Sequence, residues 1–427
     1  MLLPGSSIKR VFAITLLGLC IPVILWSVPH MNSMQSIVFV RQRQDNHQSE
    51  ILTKPQCSRK PALFSLTKVL ANSFSAEGAI ADSKYKQPLD SAEKNRQRIM
   101  GVRPLQEVSR LNCSLGMDDF TGMEKADKPA RMFDPHEASG DTPYVVRNNC
   151  RRYILLIVVF NNQFYQNVPY IRTLYGKAFS KIVFYGAQPD EHLGVRASPR
   201  IWGGYRQHVT IAQAIMDNPG YDGYMWIGDD VLLNYPYFFK HHDVDNVWTT
   251  RREKDKGSVF PAPGHPFADN QNEWMHWDKF YGMPAIQSLF RCIRPQYVSR
   301  MRSALDCSYC VVYMGSDMGY VPRRFVDDFI ELVFVFRVVL HEITLPTVLR
   351  LMVHNMTEDM HEDFNNHLYM WFGDKFAQIR KEWRTDIVFA HPVKFSGDAG
   401  SREFAEAKLR EAGEKYEWRT LSSMKPS

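Results

Sequence analysis

Three observations predict an α/β fold with a mostly parallel sheet for residues 149–400. Apolar, β-branched runs such as Tyr153–Phe160 and Tyr224–Ile227 lack the alternation of a half-exposed strand, so both faces of each are buried. Segments of helical spacing lie between these runs. The resulting order of strand, helix, strand, helix, strand is that of βαβ units, whose connections place helices on the faces of a parallel sheet.

Each element has its own signal. Tyr153–Phe160 stops at Asn161-Asn162, Val168–Phe179 has helical spacing, and Lys181–Tyr185 is a second strand closed by Gly186. Gln207–Met216 places Val209, Ala212 and Ile215 on one helical face and stops before Pro219-Gly220. Tyr224–Ile227 then runs into Gly228-Asp229-Asp230, and Val247–Thr250 is another short strand. Residues 251–290 are loop-rich, with Pro261, Pro263, Gly264 and Pro266 ahead of Trp274 and Trp277. Cys310–Met314 restarts the strands. Arg323–Leu340 is strongly apolar but contains Asp327, Asp328, Glu331 and Arg337, which makes it a buried core helix rather than a membrane span. Ile387–Phe389 is the last strand and leads to His391-Pro392; residues 401–427 form a charged helix and tail.

The rest of the 427 residues is organised differently. Lys9 and Arg10 precede an uncharged stretch, residues 11–28, just long enough to cross a bilayer as a helix. The basic pair favours a cytoplasmic tail at residues 1–10 and a lumenal remainder. A cleaved signal peptide is the rival reading, weakened by the poor cleavage pattern around Trp26-Ser-Val-Pro29. Residues 29–148 are polar, aperiodic and stem-like. Six of the seven cysteines lie beyond residues 11–28, enough for three disulfides in an oxidising compartment, and Cys307-x-x-Cys310 has no second CxxC to complete a zinc site. Asn112 and Asn355 head glycosylation sequons. A net charge of +6 with interspersed signs gives no basic stripe for nucleic acid.

The chemistry concentrates at strand ends. Asp229 and Asp230 follow a buried strand, where adjacent carboxylates repel each other and resist desolvation, so they call for a cation or dedicated donors. A divalent metal carrying a phosphorylated donor meets that need; the bland alternative is a helix cap. His391, at the end of another strand, is a candidate third metal ligand or a hydrogen-bonded turn histidine, and Lys394 is placed to pair with a phosphate. Asp317, between the small residues of Met314-Gly-Ser-Asp-Met-Gly319, is a candidate contact to a sugar or acceptor hydroxyl. Glu342 is expected at the end of the buried helix, where the macrodipole disfavours an acid, so it is either exposed or placed for catalysis. Asp243-Val-Asp245, a literal D-x-D, reads as a solvated turn, and Asp359, Glu362 and Asp363 as a solvated face. Trp274 and Trp277 are candidates to stack on a sugar, or simply packing.

These pieces together resemble a GT-A-type glycosyltransferase of the Golgi type II membrane class. The likeness rests on residues 11–148 as anchor and stem, YILLIVVFNN at 153–162, YMWIGDD at 224–230, GSDMGYVPRR at 315–324, HEITLPT at 341–347, and His391-Pro392. The GSDMGYVP and HEITLPT segments are similar to the STELLO-like Golgi group. The resemblance covers about residues 151–395 and implies a nucleotide-sugar donor, a glycan or glycoprotein acceptor, and Mn²⁺ or Mg²⁺. It places the metal and the donor diphosphate on Asp229, Asp230 and His391; the reading of the residues themselves adds Asn161 and Lys394 to donor binding and Asp317 and Glu342 to catalysis. Gly228-Asp-Asp230 departs from a strict D-x-D. A non-catalytic, glycosyltransferase-like scaffold or partner of Golgi enzymes is the alternative. A metal-dependent phosphoesterase would need a richer His/Asp set than the sequence offers.

Overall fold

A computed structural model describes residues 132–417 except 135, 140, 148–149, 199–205, 251–258, 262–278, 314, 355, 357–359, 365, 371–372 and 398. The expected anchor, most of the stem, both sequons, Trp274, Trp277 and Asp359 lie outside the described residues. No helix among those described is long and apolar enough to cross a membrane.

A short hairpin, β1 (Val145–Arg147) with β2 (Cys150–Arg152), leads into β3 (Ile154–Val159). Helix α1 (Val168–Tyr175) connects to β4 (Lys181–Gly186) and β5 (Val195–Ala197). Helix α2 (Gln207–Asp217) then returns the chain to β6 (Gly223–Gly228). β7 (Leu232–Leu233), α3 (Tyr235–His241), β8 (Val247–Thr250) and β9 (Val259–Pro261) follow, and then α4 (Met283–Cys292) and α5 (Pro295–Leu305). The second half runs β10 (Cys310–Val312), β11 (Met318–Pro322), α6 (Val326–Val335) and α7 (His341–Val353). It closes with β12 (His361–Phe364), β13 (Leu368–Tyr369), α8 (Lys375–Glu382), β14 (Phe389–His391) and α9 (Ala399–Lys415).

Seven of these strands form the main sheet in the order β12-β8-β11-β6-β3-β4-β5. All are parallel except β11, which runs antiparallel to both its neighbours. The expectation of a mostly parallel sheet with flanking helices therefore holds. Every residue of β3 and β6 is buried, which is why neither strand shows alternation. One face of the sheet packs on α2, α6 and α7, where Trp226 stacks on Phe329 with ring centroids 5.5 Å apart. The other face packs on α1, α3, α8 and α9 and on a small second sheet, β13-β14-β7.

Three expectations are corrected. Arg323–Leu340 is not one helix: a 3₁₀ turn at Arg323–Phe325 precedes α6, which ends at Val335, and a turn through residues 336–340 redirects the chain into α7. The last strand is Phe389–His391, so His391 lies within it rather than beyond it. Residues from 132, read as stem, pack on the fold: the Phe133 ring stacks on Tyr221 at 4.3 Å and its N–H donates to the Pro219 carbonyl. Cys307 and Cys310 are joined as a disulfide, as their spacing without a second CxxC led us to expect.

Candidate functional site

The site is built where β6 ends. The last N–H of that strand, on Gly228, donates to the Asp317 carbonyl at 2.8 Å, and the Asp229 N–H donates to the Val159 carbonyl at 3.2 Å. The strand is thus pinned to β11 on one side and β3 on the other up to its final residue. Val231 N–H then turns back to the Gly228 carbonyl, which sets both carboxylates at the C-terminal edge of the parallel sheet. A Cβ at position 228 would stand 3.4 Å from Asp230 Oδ1, an ordinary van der Waals contact. Open α/β sheets bind ligands at this edge.

Other elements converge on the same point. Because β11 is antiparallel, its first residue, Met318, pairs with Ile227, and Asp317 comes level with the end of β6. β14 runs alongside β7, and the Val393 N–H donates to the Asp230 carbonyl at 2.6 Å, which ties His391 and Lys394 to the acids. Glu342 arrives from the first turn of α7. This corrects its expected place at a helix C-terminus: at the N-terminal end the macrodipole favours an acid. Pro346, inside α7, has no N–H to give the Glu342 carbonyl.

The side chains form a compact charged cluster. His391 Nε2 lies 3.3 Å from Asp230 Oδ1, and its Nδ1 lies 3.8 Å from Asp317 Oδ2. Lys394 Nζ donates to Asp230 Oδ2, although the lysine itself is largely exposed at the rim. Asp229, Asp230 and Asp317 are buried. Glu342 is partly buried, but its Oε2 is shut off from water; neither that oxygen nor Asp317 Oδ2 accepts a hydrogen bond. The Asn161 N–H faces the Asp229 carboxyl, while the Asn161 Oδ1 is buried and unbonded.

Burial and neighbouring charge set the protonation states. Burial, then the charge of Asp230, pushes Asp229 up to about 7. Burial also works against an ionised Asp230, but the His391 hydrogen bond and the charges of His391 and Lys394 outweigh it and hold Asp230 below the usual carboxylate range. Burial disfavours the imidazolium of His391; Asp317, followed by the hydrogen bond and charge of Asp230, reverses this and raises it to about 9. Burial and the charge of Asp317 push Glu342 up to about 8. Near neutral pH the cluster thus contains an imidazolium, an ammonium, the Asp230 carboxylate and a protonated Glu342.

The residue types present are those a hard divalent cation takes, although no group of three or more His, Cys, Asp or Glu among the described residues is arranged to hold it. They offer carboxylate oxygens and one imidazole, and the Asp317 Oδ2 and Glu342 Oε2 atoms are buried acceptors without donors.

The structure therefore brings together Asp229, Asp230, Asp317, Glu342, His391, Lys394 and the Asn161 backbone. It keeps the literal D-x-D apart. Asp245 pairs with Arg152 at 3.0 Å, and the Asp243 carboxylate accepts from the Asp245 N–H, a structural turn. Glu362 likewise bonds His242 at 2.8 Å. One site residue has no forewarning in the sequence. The Tyr369 hydroxyl accepts from the Asp317 N–H at 3.2 Å, and its ring stands 5.4 Å from His391. Gly315 makes room for that ring, since a Cβ there would come within 2.5 Å of it. The only sign is that Tyr369–Asp374 matches Tyr224–Asp229 at five of six positions, and so short a match with unmatched flanks carries no structural inference.

No family model matches the chain. Over 300 residues, 65% of the chain, the sequence is 21% identical to the probable glycosyltransferase STELLO1 of Arabidopsis thaliana. The chain spans about a third of that relative's length, 35%. This distant similarity supports a glycosyltransferase-like family, and a central, mostly parallel sheet flanked by helices fits such a fold.

Proposed function

We propose that the chain is a Golgi-lumenal, membrane-anchored glycosyltransferase that moves a sugar from a nucleotide-sugar donor to a glycan or glycoprotein acceptor. The observation that carries this reading is the cluster of Asp229, Asp230, Asp317, Glu342, His391 and Lys394 at the C-terminal edge of the sheet. The similarity to a probable glycosyltransferase supports it. The uncharged segment at residues 11–28, the sequons at Asn112 and Asn355 and the Cys307–Cys310 disulfide all accord with a secretory compartment.

In this reading a Mn²⁺ or Mg²⁺ ion would be held by Asp229, Asp230 and, once its imidazolium has given up its proton, His391, and would neutralise charge on the donor diphosphate. Lys394, exposed at the rim and already paired with Asp230, meets a phosphate oxygen. The Asn161 side chain, with its unbonded oxygen, faces the donor from the end of β3. An acceptor hydroxyl bonds to the anomeric carbon as the bond from that carbon to the phosphate oxygen breaks. The nucleoside diphosphate leaves with the electron pair, and the hydroxyl proton passes to the ionised form of Glu342, which must first release the proton it holds near neutral pH. Once ionised, a carboxyl raised to about 8 is a stronger base than an ordinary carboxylate, so transfer should increase as pH rises toward that value. Asp317, fixed by Tyr369 and Gly228, orients the acceptor hydroxyl.

Thermal melting of the full chain with a panel of UDP- and GDP-sugars, with and without Mn²⁺, tests the proposal. A ligand that binds only the native state raises the melting temperature. A Mn²⁺-dependent rise with one nucleotide, absent in Asp230→Ala, is expected. A folded chain that responds to no donor, and keeps its cellular role in Asp230→Ala, would point instead to a non-catalytic partner of Golgi enzymes.

A further inference from the structure

The first turn of α2 holds a second set of polar atoms, separate from the charged cluster. Gln207 and His208 are both fully buried. Neither the amide oxygen and nitrogen of Gln207 nor either ring nitrogen of His208 makes a hydrogen bond. The Arg337 backbone faces the imidazole without meeting hydrogen-bond geometry. A folded protein rarely leaves four such atoms unsatisfied, and each group so left lowers its stability.

Their position gives them a use. α2 runs from β5 to the start of β6, so it begins at the same C-terminal sheet edge as Asp229 and Asp230. His208 lies within the field of His341, which directly precedes Glu342, and Glu342 in turn feels Asp317 and His391. α2 and α7 pack on one face of the sheet, whereas the strand that carries His391 belongs to the packing of the other face. Gln207 and His208 therefore begin α2 at the sheet edge where the cluster forms, on the face opposite the one that delivers His391 and Lys394.

Their chemistry selects the ligand class. Gln207 is uncharged, and burial together with His341 and Arg206 keeps His208 well below its ordinary value, so it is neutral. A neutral amide and a neutral imidazole each present one donor side and one acceptor side. Hydroxyl groups, which both donate and accept, match that set; a diphosphate calls for cations such as Lys394.

We infer that Gln207 and His208 hydrogen-bond the hydroxyls of the sugar being transferred, forming a glycosyl site distinct from the groups that hold the diphosphate. The inference rests on the glycosyltransferase reading above. Both side chains are closed off from water, so sugar entry has to part them from their neighbours.

The test compares, for the full chain, affinity for each UDP- or GDP-sugar with affinity for UDP or GDP alone, in wild type, Gln207→Met and His208→Leu. The wild type should prefer the nucleotide sugar. Each variant should lose about two- to tenfold of that preference, the range of one neutral hydrogen bond, with nucleotide affinity unchanged. Without ligand, Gln207→Met should melt at or above the wild type, because it removes an unsatisfied amide of nearly the same shape. A preference that survives in both variants, or is absent from the wild type while UDP or GDP binds, overturns the inference and leaves the transferase reading intact. A large drop in the unliganded melting temperature of Gln207→Met also overturns it, since the amide would then have an internal partner such as a buried water. If neither nucleotides nor nucleotide sugars bind the wild type, the transferase reading falls and takes this inference with it.

Discussion

Glu342 is the residue whose chemistry and stability pull hardest in opposite directions. Its carboxyl ordinarily titrates at 4.5 and is raised to about 8 by burial and by Asp317. Between those two values the native state holds a proton that the unfolded chain has released. Stability therefore falls as pH rises through this window, and the loss is complete above about 8. The full penalty is on the order of 5 kcal/mol, and at pH 7 it has reached about 3 kcal/mol. Glu342→Gln keeps the shape but does not titrate, so it escapes the penalty. Urea unfolding of the full chain should show the variant within about 1 kcal/mol of wild type at pH 5 and about 3 kcal/mol more stable at pH 7, with an unchanged slope. Transfer should fall at least ~100-fold, the usual contribution of a positioned base. A stability difference that is the same at both pH values would refute the assignment of the buried, raised carboxyl to Glu342. Undiminished transfer would refute its role as base.

Three further outcomes follow from the geometry. Asp230→Asn removes the hydrogen bond and one of the charges that raise His391, so its imidazole should titrate well below about 9 in an NMR titration, with transfer lost and the fold retained. Tyr369→Phe leaves the buried Asp317 N–H without its acceptor and should cost about 1–3 kcal/mol in urea unfolding, with a fall in kcat. Gly319→Ala puts a Cβ 2.1 Å from Trp226 Cζ2 in the centre of the sheet and should destabilise by about 1–3 kcal/mol or more, whereas Gly397→Ala, with nothing within 4 Å, should stay within about 0.5 kcal/mol of wild type.

The sequence revealed most clearly what continuous burial writes into it. Ile154–Val159 and Gly223–Gly228 are buried throughout and Lys181–Gly186 from Val183 on, and these apolar runs fix both the strand type and the edge at which Asp229 and Asp230 emerge. Features set by distant partners stayed hidden. β11 slots antiparallel between β6 and β8 because Gly319 lets the Trp226 indole cross it, and the run Met-Gly-Tyr-Val-Pro shows no strand alternation. The break between α6 and α7 contains neither Gly nor Pro. It is held by the Val339 N–H bonded to the Phe336 carbonyl and by the Thr344 hydroxyl reaching that same carbonyl. Without that knowledge Glu342 reads as the end of one long helix instead of the start of another. Tyr369 meets Asp317 across 52 residues, a separation no local pattern encodes.

The same contrast explains why the candidate acids were legible and their roles were not. An acid next to a buried apolar run is conspicuous in a sequence, because carboxylates are costly to bury without partners. Which of them stays ionised depends on contacts that only the fold creates. Asp229 and Asp230 are adjacent and equally buried, yet one is pushed up to about 7 and the other held low. What separates them is that β14 delivers His391 and Lys394 to Asp230, while Asp229 has the Asn161 and Asp229 N–H groups and the more distant Lys394 charge. A third acid, Glu342, reaches about 8 because α7 turns it toward Asp317. The cluster thus contains one carboxylate fixed as an anion and two poised to gain or lose a proton near neutral pH. That division suits a site that must both bind a charged donor and accept a proton from a hydroxyl, and it arises from the crossing of four segments, not from any one of them.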